Sequence, residues 1–235
     1  MIPVQLTEMY ATAIQTDSYS MHSEFILELL KNNDPHIMDY HYSLLKHSSE
    51  NIDLHRRLCR AFEQRGKAGI NYLLSKVKPE PVAALKADII HILGKVRTPD
   101  IVPIALFYLK NEERILRYKS TIVLGWNGSK NELSSLYERL LNEPDNELRS
   151  FAATAMRQIW HNHKNLKTSI LQLYLLALER EDNEEVNAAI ISCTQDMILK
   201  KLGLKETQYG EIIGDVKKAK DKAIKAVNDF LKSNF

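Results

Sequence analysis

Leu85-Lys86-Ala87-Asp88-Ile89-Ile90-His91-Ile92-Leu93-Gly94-Lys95-Val96 lies nearly in register with two later stretches. One is Leu116-Arg117-Tyr118-Lys119-Ser120-Thr121-Ile122-Val123-Leu124-Gly125-Trp126; the other is Leu148-Arg149-Ser150-Phe151-Ala152-Ala153-Thr154-Ala155-Met156-Arg157-Gln158-Ile159. Their starts are 31 and then 32 residues apart. A fixed period in that range marks stacked helical pairs, an α-solenoid, in which each repeat buries its apolar face only against its neighbours.

The apolar spacing gives a first helix and a second helix in each repeat. First helices are expected at about 67–77, 99–110, 130–142 and 167–180, and second helices at about 80–95, 113–126, 145–161 and 183–200. Thr98-Pro99-Asp100 and Glu143-Pro144-Asp145 are helix-start signals, with a capping side chain beside a proline. The N-terminal segment reads as two divergent helix pairs. Leu6, Met9, Tyr10, Ala13 and Ile14 share one face, and Phe25, Ile26, Leu29 and Leu30 another. Asp34-Pro35 opens a third helix, and a fourth stops at Gly66. Beyond Gly203 the period breaks. A helix from about Gly210 to Lys232 puts Val216, Ala219, Ala223, Val227 and Phe230 on one side and reads as an end cap. The expectation is a single all-α solenoid domain over 1–235: divergent pairs over 1–65, repeats over 66–200 and a capping helix over 204–235.

Composition bounds the function. The 235 residues are 44% hydrophobic and 26% charged, which is globular rather than disordered. With only 8 Gly and 7 Pro, a many-stranded sheet is not expected. A net charge of +2 is too balanced to argue for nucleic acid. Cys59 and Cys193 are far apart on apolar faces and read as buried thiols of a reducing compartment. No basic leader and no membrane-length apolar run is visible, so a cytoplasmic protein is expected.

Asp145-Asn146-Glu147-Leu148-Arg149-Ser150-Phe151-Ala152-Ala153-Thr154-Ala155-Met156-Arg157-Gln158-Ile159 resembles the second helix of HEAT-like repeats of the phycobilin-lyase type. That pattern has an aspartate, an aliphatic-arginine pair, small residues and a closing aliphatic pair. Leu116-Arg117 keeps the pair with Glu113 for the aspartate; Lys86 replaces the arginine one repeat earlier, and Asn183 and Asn187 stand in the last, degenerate repeat. The resemblance implies a HEAT-like or armadillo-type superhelix with a habit of binding proteins, and no catalytic residue. In this repeat class, residues such as Arg117 and Arg149 bond the preceding turn or the neighbouring repeat.

With Leu85, Leu116, Leu148 and Val186 turned inward, positions two, five, six and nine further on face outward on the second helices. That rule gives His91, Tyr118, Ile122, Thr154 and Arg157 as candidate partner-binding residues, with Ile90, Thr121 and Ser150 beside them; Trp126 and Trp160, near the helix ends next to this wall, join the candidates, with capping of the inter-repeat core as their other reading. Aromatic, aliphatic and arginine side chains together have the composition of an interface hot spot. Turns inside repeats are acidic (Glu112-Glu113, Glu143 to Glu147, Glu179 to Glu185), whereas turns between them carry Lys95, Arg97, Lys130, His161, His163, Lys164 and Lys167. Helix-dipole complementarity accounts for that pattern, with a field that steers a charged partner as the other reading.

Catalytic signatures are missing from the sequence: no G-x-S-x-G, no G-x-x-x-x-G-K-[ST], no H-E-x-x-H and no C-x-x-C. His55 and Cys59 offer two metal ligands one helical turn apart and no second pair, so neither metal nor cofactor is expected. The function expected is non-enzymatic binding of another protein. Solenoids of this size resemble bacterial adaptors and immunity proteins that neutralise a toxin by wrapping it. The alternative is a HEAT-repeat DNA-binding protein or alkylpurine DNA glycosylase, with Trp126, Trp160 and Asp88 cast as groove residues. A bilin lyase is a third reading, on the repeat resemblance alone.

Overall fold

Asp145, Asn183 and Asn51 each turn a side-chain oxygen onto the first free backbone N–H groups of the helix that follows them. Asp145 accepts from Leu148 N at 3.1 Å, Asn183 from Glu185 N and Val186 N at 3.0 and 3.1 Å, and Asn51 from Leu54 N at 3.0 Å. These caps supply partners that the first turn of a helix lacks. Ser129 and Glu132 form a reciprocal capping box between repeats. Asp34 sits at a helix start before Pro35, yet its side chain makes no cap bond and instead accepts from Asn32 Nδ2 at 3.1 Å.

The computed structural model describes residues 2–208 and 211–233. The α-helices are α1 Val4–Ala13, α2 Tyr19–Leu30, α3 Pro35–His47, α4 Ile52–Gln64, α5 Gly66–Val77, α6 Ala83–Lys95 and α7 Ile101–Tyr108. They continue with α8 Arg114–Asn127, α9 Leu133–Asn142, α10 Asn146–Asn162, α11 Lys167–Arg180, α12 Glu184–Ile198 and α13 Val216–Ser233. The chain is an all-α array of helix pairs, and the expected repeat helices are all present. Boundaries differ by a few residues: α7 begins at Ile101, after the Thr98-Pro99-Asp100 signal. Gly210, where the last helix is expected to open, lies outside the described residues, and α13 starts at Val216. The one departure from pure helix among the described residues is a two-residue antiparallel ladder, Lys205–Glu206 (β1) against Ile212–Ile213 (β2).

The helices group into two compact units, Met1–Ile101 and Val102–Phe235. In the first unit Phe25, Leu29, Leu54, Leu58 and Phe62 are fully buried, and α4 packs against both α2 and α6. Arg65 ends α4 in an αR turn and is only 4% exposed. Its guanidinium is held by neutral acceptors. It donates to Leu29 O and Asn32 O at 2.9 Å, to Asn33 Oδ1 at 2.7 Å and to His41 Nδ1 at 2.9 Å.

In the second unit the second helices α8, α10 and α12 lie side by side, with α10 in the middle, while α9 and α11 form the first-helix layer. α10 is thus buried on two sides, which is why small residues fill it: Ala152, Ala153 and Ala155 are all at most 2% exposed. A close approach occurs at Gly125 of α8. A Cβ placed there would stand 2.9 Å from Ala155 Cα and 3.1 Å from Ala155 Cβ. Ala155→Leu has no room to fill and should cost about 1–3 kcal/mol through overpacking. Urea melts of the variant against the parent read this directly, and an unchanged midpoint would show that the α8–α10 contact yields freely. α13 closes the unit by packing Ala219, Ala223, Ala226 and Val227 against α11 and α12.

Candidate partner-binding wall and its supports

The second unit is crosslinked by arginines one repeat apart. Arg117 of α8 donates Nη1 back to the preceding turn, at Asn111 O and Glu112 O (3.0 and 2.7 Å). It reaches forward with Nε and Nη2 to the Glu143 carboxylate at 2.9 and 3.0 Å. Arg149 repeats the device on α10, bonding Glu143 O at 2.8 Å behind it and the Glu181 carboxylate at 2.9 and 3.3 Å ahead. Asn187 takes the equivalent place on α12 and donates to Glu181 O at 3.0 Å, where Lys220 of α13 also donates at 2.7 Å. Arg139 adds a second pairing to Glu143, and Arg114 pairs with Asp145 at 2.6 Å and with Glu147. The structural role expected of Arg117 and Arg149 is the one observed. The acids Glu143, Asp145, Glu147 and Glu181 are committed to this ladder, so they do not form an open acidic field.

Three lysines of the basic turns are likewise engaged. Lys95 pairs with Glu63 at 3.0 Å, Lys164 Nζ lies 3.6 Å from the centre of the Trp160 ring, and Lys167 Nζ lies 4.6 Å from that of Phe230.

On the wall itself, Tyr118, Ile122 and Trp126 are half-buried along one side of α8 at steps of four residues. Tyr118 meets Phe151 of α10 edge to face with centroids 4.9 Å apart. Thr154 and Arg157 are half-buried on α10. His91 is half-buried on α6, in the first unit. Two residues expected to face outward do not. Ile90 is fully buried and Thr121 is 3% exposed, its hydroxyl satisfied by donating to Arg117 O at 2.9 Å. Trp160 is 8% exposed and belongs mainly to the core. The spacing rule assumes helices buried on one side, and these helices have neighbours on two.

Arg157 lines a cleft of about 440 Å³ with Ser192, Gln195, Asp196, Leu199, Lys200 and Lys201. Its Nη1 is 3.6 Å from Asp196 Oδ2, an oxygen that His161 Nε2 also approaches, at 3.2 Å. The Arg157 Nε–H is buried and has no hydrogen-bond partner among the described residues. Leu199, at the end of α12 in the left-handed region (φ 55°), is 88% exposed at the rim. Gln195 fixes that rim: its Oε1 accepts from Leu202 N at 2.8 Å and from Leu204 N at 3.3 Å. A partly buried arginine, two lysines and an exposed leucine on a tied loop can bind an acidic or carbonyl-rich segment that also presents an apolar side chain.

The sequence profile of HEAT repeats matches residues 70–157. Over that span the chain is a HEAT-repeat array. No curated protein matches the chain. The HEAT match runs from α5 into α10, and the α11–α12 pair continues the same helix-pair arrangement beyond it.

Two further features are not visible in the sequence pattern. An apolar groove of about 660 Å³ lies between α9 and α11, lined by Leu133, Tyr137, Leu173 and Leu176, and Phe107 of α7 is 74% exposed. Helical spacing marks these residues as apolar but not which side the next helix leaves open. In the first unit, Asp88 of α6 joins His55 and Cys59 of α4. His55 and Asp88 are 33 residues apart, close to one repeat length, and that spacing is the available signal. Cys59 is half-buried rather than buried, Cys193 is 2% exposed, and neither is in a disulfide. No helix among the described residues is long and apolar enough to cross a membrane.

Proposed function

We propose that this HEAT-repeat chain is a non-enzymatic, cytoplasmic protein-binding module, and that the wall of its second unit is the contact surface. Repeat arrays of this kind use extended faces of stacked helices to hold partners. The observation that carries the reading is Arg157: a part-buried guanidinium lining a cleft that Lys200, Lys201 and exposed Leu199 also line. The narrower form of the proposal is an immunity protein whose partner is a toxin domain. It rests on size and architecture, and co-expression with candidate toxins tests it by survival of the host.

Arg157→Ala should weaken partner binding by about thirtyfold, near 2 kcal/mol, while the melting temperature stays close to the parent's. Tyr118→Ala should weaken it similarly but carries a stability cost of its own, because Tyr118 packs on Phe151; Tyr118→Phe keeps that packing and separates the two effects. Lys200→Glu with Lys201→Glu should slow association in a salt-dependent way. Titration calorimetry on the purified partner measures the affinities and stopped-flow mixing the association rate. Parental affinity for both Arg157→Ala and the lysine reversal would remove the wall as the interface.

The glycosylase reading needs Trp160 and Asp88 available to a base. Trp160 is largely buried, and Asp88 Oδ2 is engaged by His55 Nε2 at 3.0 Å. Incubation with an alkylated duplex should release no base; release would replace the binding reading with the enzymatic one.

A further inference from the structure

We propose that His55, Cys59 and Asp88 form a three-ligand site for a divalent transition metal of the zinc type. His55 and Cys59 project from α4 one turn apart, and Asp88 projects toward them from α6. The three ligand atoms lie within 4.8 Å of one another. His55 Nε2 is 3.0 Å from Asp88 Oδ2 and 3.7 Å from Cys59 Sγ. A tetrahedral zinc ion with ordinary bond lengths holds a nitrogen and an oxygen ligand about 3.3 Å apart, and a nitrogen and a sulfur ligand about 3.6 Å apart. These two separations fall within a few tenths of an ångström of those values; the third pair, Cys59 Sγ and the Asp88 carboxylate, lies within 4.8 Å and closes to the roughly 3.6 Å of a shared tetrahedral ion by side-chain rotation.

The surroundings suit a ligand histidine. Ser48, fully buried, places its Oγ 3.0 Å from His55 Nδ1. A partner on the far ring nitrogen fixes the ring and leaves the near nitrogen for the metal, the usual arrangement around ligating histidines. The His55 and Asp88 side chains are 20% and 25% exposed, sheltered yet reachable from solvent. A thiolate, an imidazole and one carboxylate select zinc-type ions over magnesium or calcium, which prefer oxygen ligands only. Three protein ligands leave a fourth tetrahedral position for water. The ion would join α4 to α6, and its binding releases the thiol proton. This departs from the expectation of no metal, which has only two ligands in view.

The test uses the full chain and cobalt(II), a spectroscopic stand-in for zinc. The parent should take up one cobalt per chain at micromolar metal, with a thiolate-to-cobalt absorption band and the visible bands of a tetrahedral ion. Cys193→Ser should keep both signals. Cys59→Ser should lose the thiolate band, and Asp88→Asn, which preserves shape and a hydrogen bond to His55, should weaken uptake at least tenfold. Ser48→Ala should weaken it about 10–100-fold. Zinc should raise the melting temperature of the parent and not that of Asp88→Asn. No stoichiometric uptake, a thiolate band that survives Cys59→Ser, or uptake unchanged in Asp88→Asn would each overturn the site; circular dichroism confirms that the variants compared are folded.

Discussion

Glu143→Ala should destabilise the second unit by about 3–5 kcal/mol, the cost of leaving buried charge without its partner. The Glu143 side chain is 1% exposed and accepts from Arg117 and Arg139, each only 15% exposed. Burial by itself pushes the carboxyl's pKa up, and the two guanidinium groups more than reverse this, holding it below the usual carboxylate range. Because the folded value is depressed, the stabilisation is present above the unfolded carboxylate pKa of about 4.3 and is lost as pH falls through the folded value. Arg114→Ala is the matched control. Its side chain is 47% exposed, so solvent and salt screen its pairs with Asp145 and Glu147 and its loss should move the midpoint little. Trp126 and Trp160 both lie in the second unit and are the chain's two tryptophans, so their fluorescence in urea reads both variants. Equal midpoints for Glu143→Ala and Arg114→Ala would contradict the ladder as the support of the repeats.

Arg65→Ala should cost the first unit about 3–4 kcal/mol. The guanidinium satisfies Leu29 O, Asn32 O and His41 Nδ1, and truncation strands buried acceptors at roughly 1–3 kcal/mol apiece, offset in part by water entering the space. Arg65→Lys should recover only part of the loss, since an ammonium cannot reproduce the planar fork. The same contact makes the unit acid-sensitive. Burial, and then the charge of Arg65, holds the His41 pKa well below its ordinary value, so the ring stays neutral when folded. Its stabilising contribution is complete above the unfolded histidine pKa of about 6.5 and declines as pH falls below it. Amide exchange in α2, α3 and α4 measures both effects; parental protection in Arg65→Ala at pH 7 would show that the network is dispensable.

The helices were legible because apolar spacing, proline and capping residues act locally. Asp145 and Asn183 cap the helices they precede, and α5 to α12 appear where the period puts them. The exposed faces were less legible, because burial depends on how many neighbours a helix has. Thr121 and Ile90 fall outward under a one-sided rule, and a threonine that bonds its own helix can be buried without loss. Long-range pairs follow the repeat itself. His55–Asp88, Arg114–Glu147 and Arg149–Glu181 are 33, 33 and 32 residues apart, so one period brings complementary side chains alongside each other. The cleft at Arg157 was not legible beyond the arginine, since Leu199, Lys200 and Lys201 lead into a loop whose path is set by Gln195.

The most direct test of the binding account is amide exchange of the chain with and without its purified partner. The account predicts protection confined to the wall of the second unit, at 118–126, 150–158 and 195–201, and loss of that protection in Arg157→Ala. Protection instead along the α9–α11 groove, at 133–137 and 169–176, or in the first unit alone, would contradict it.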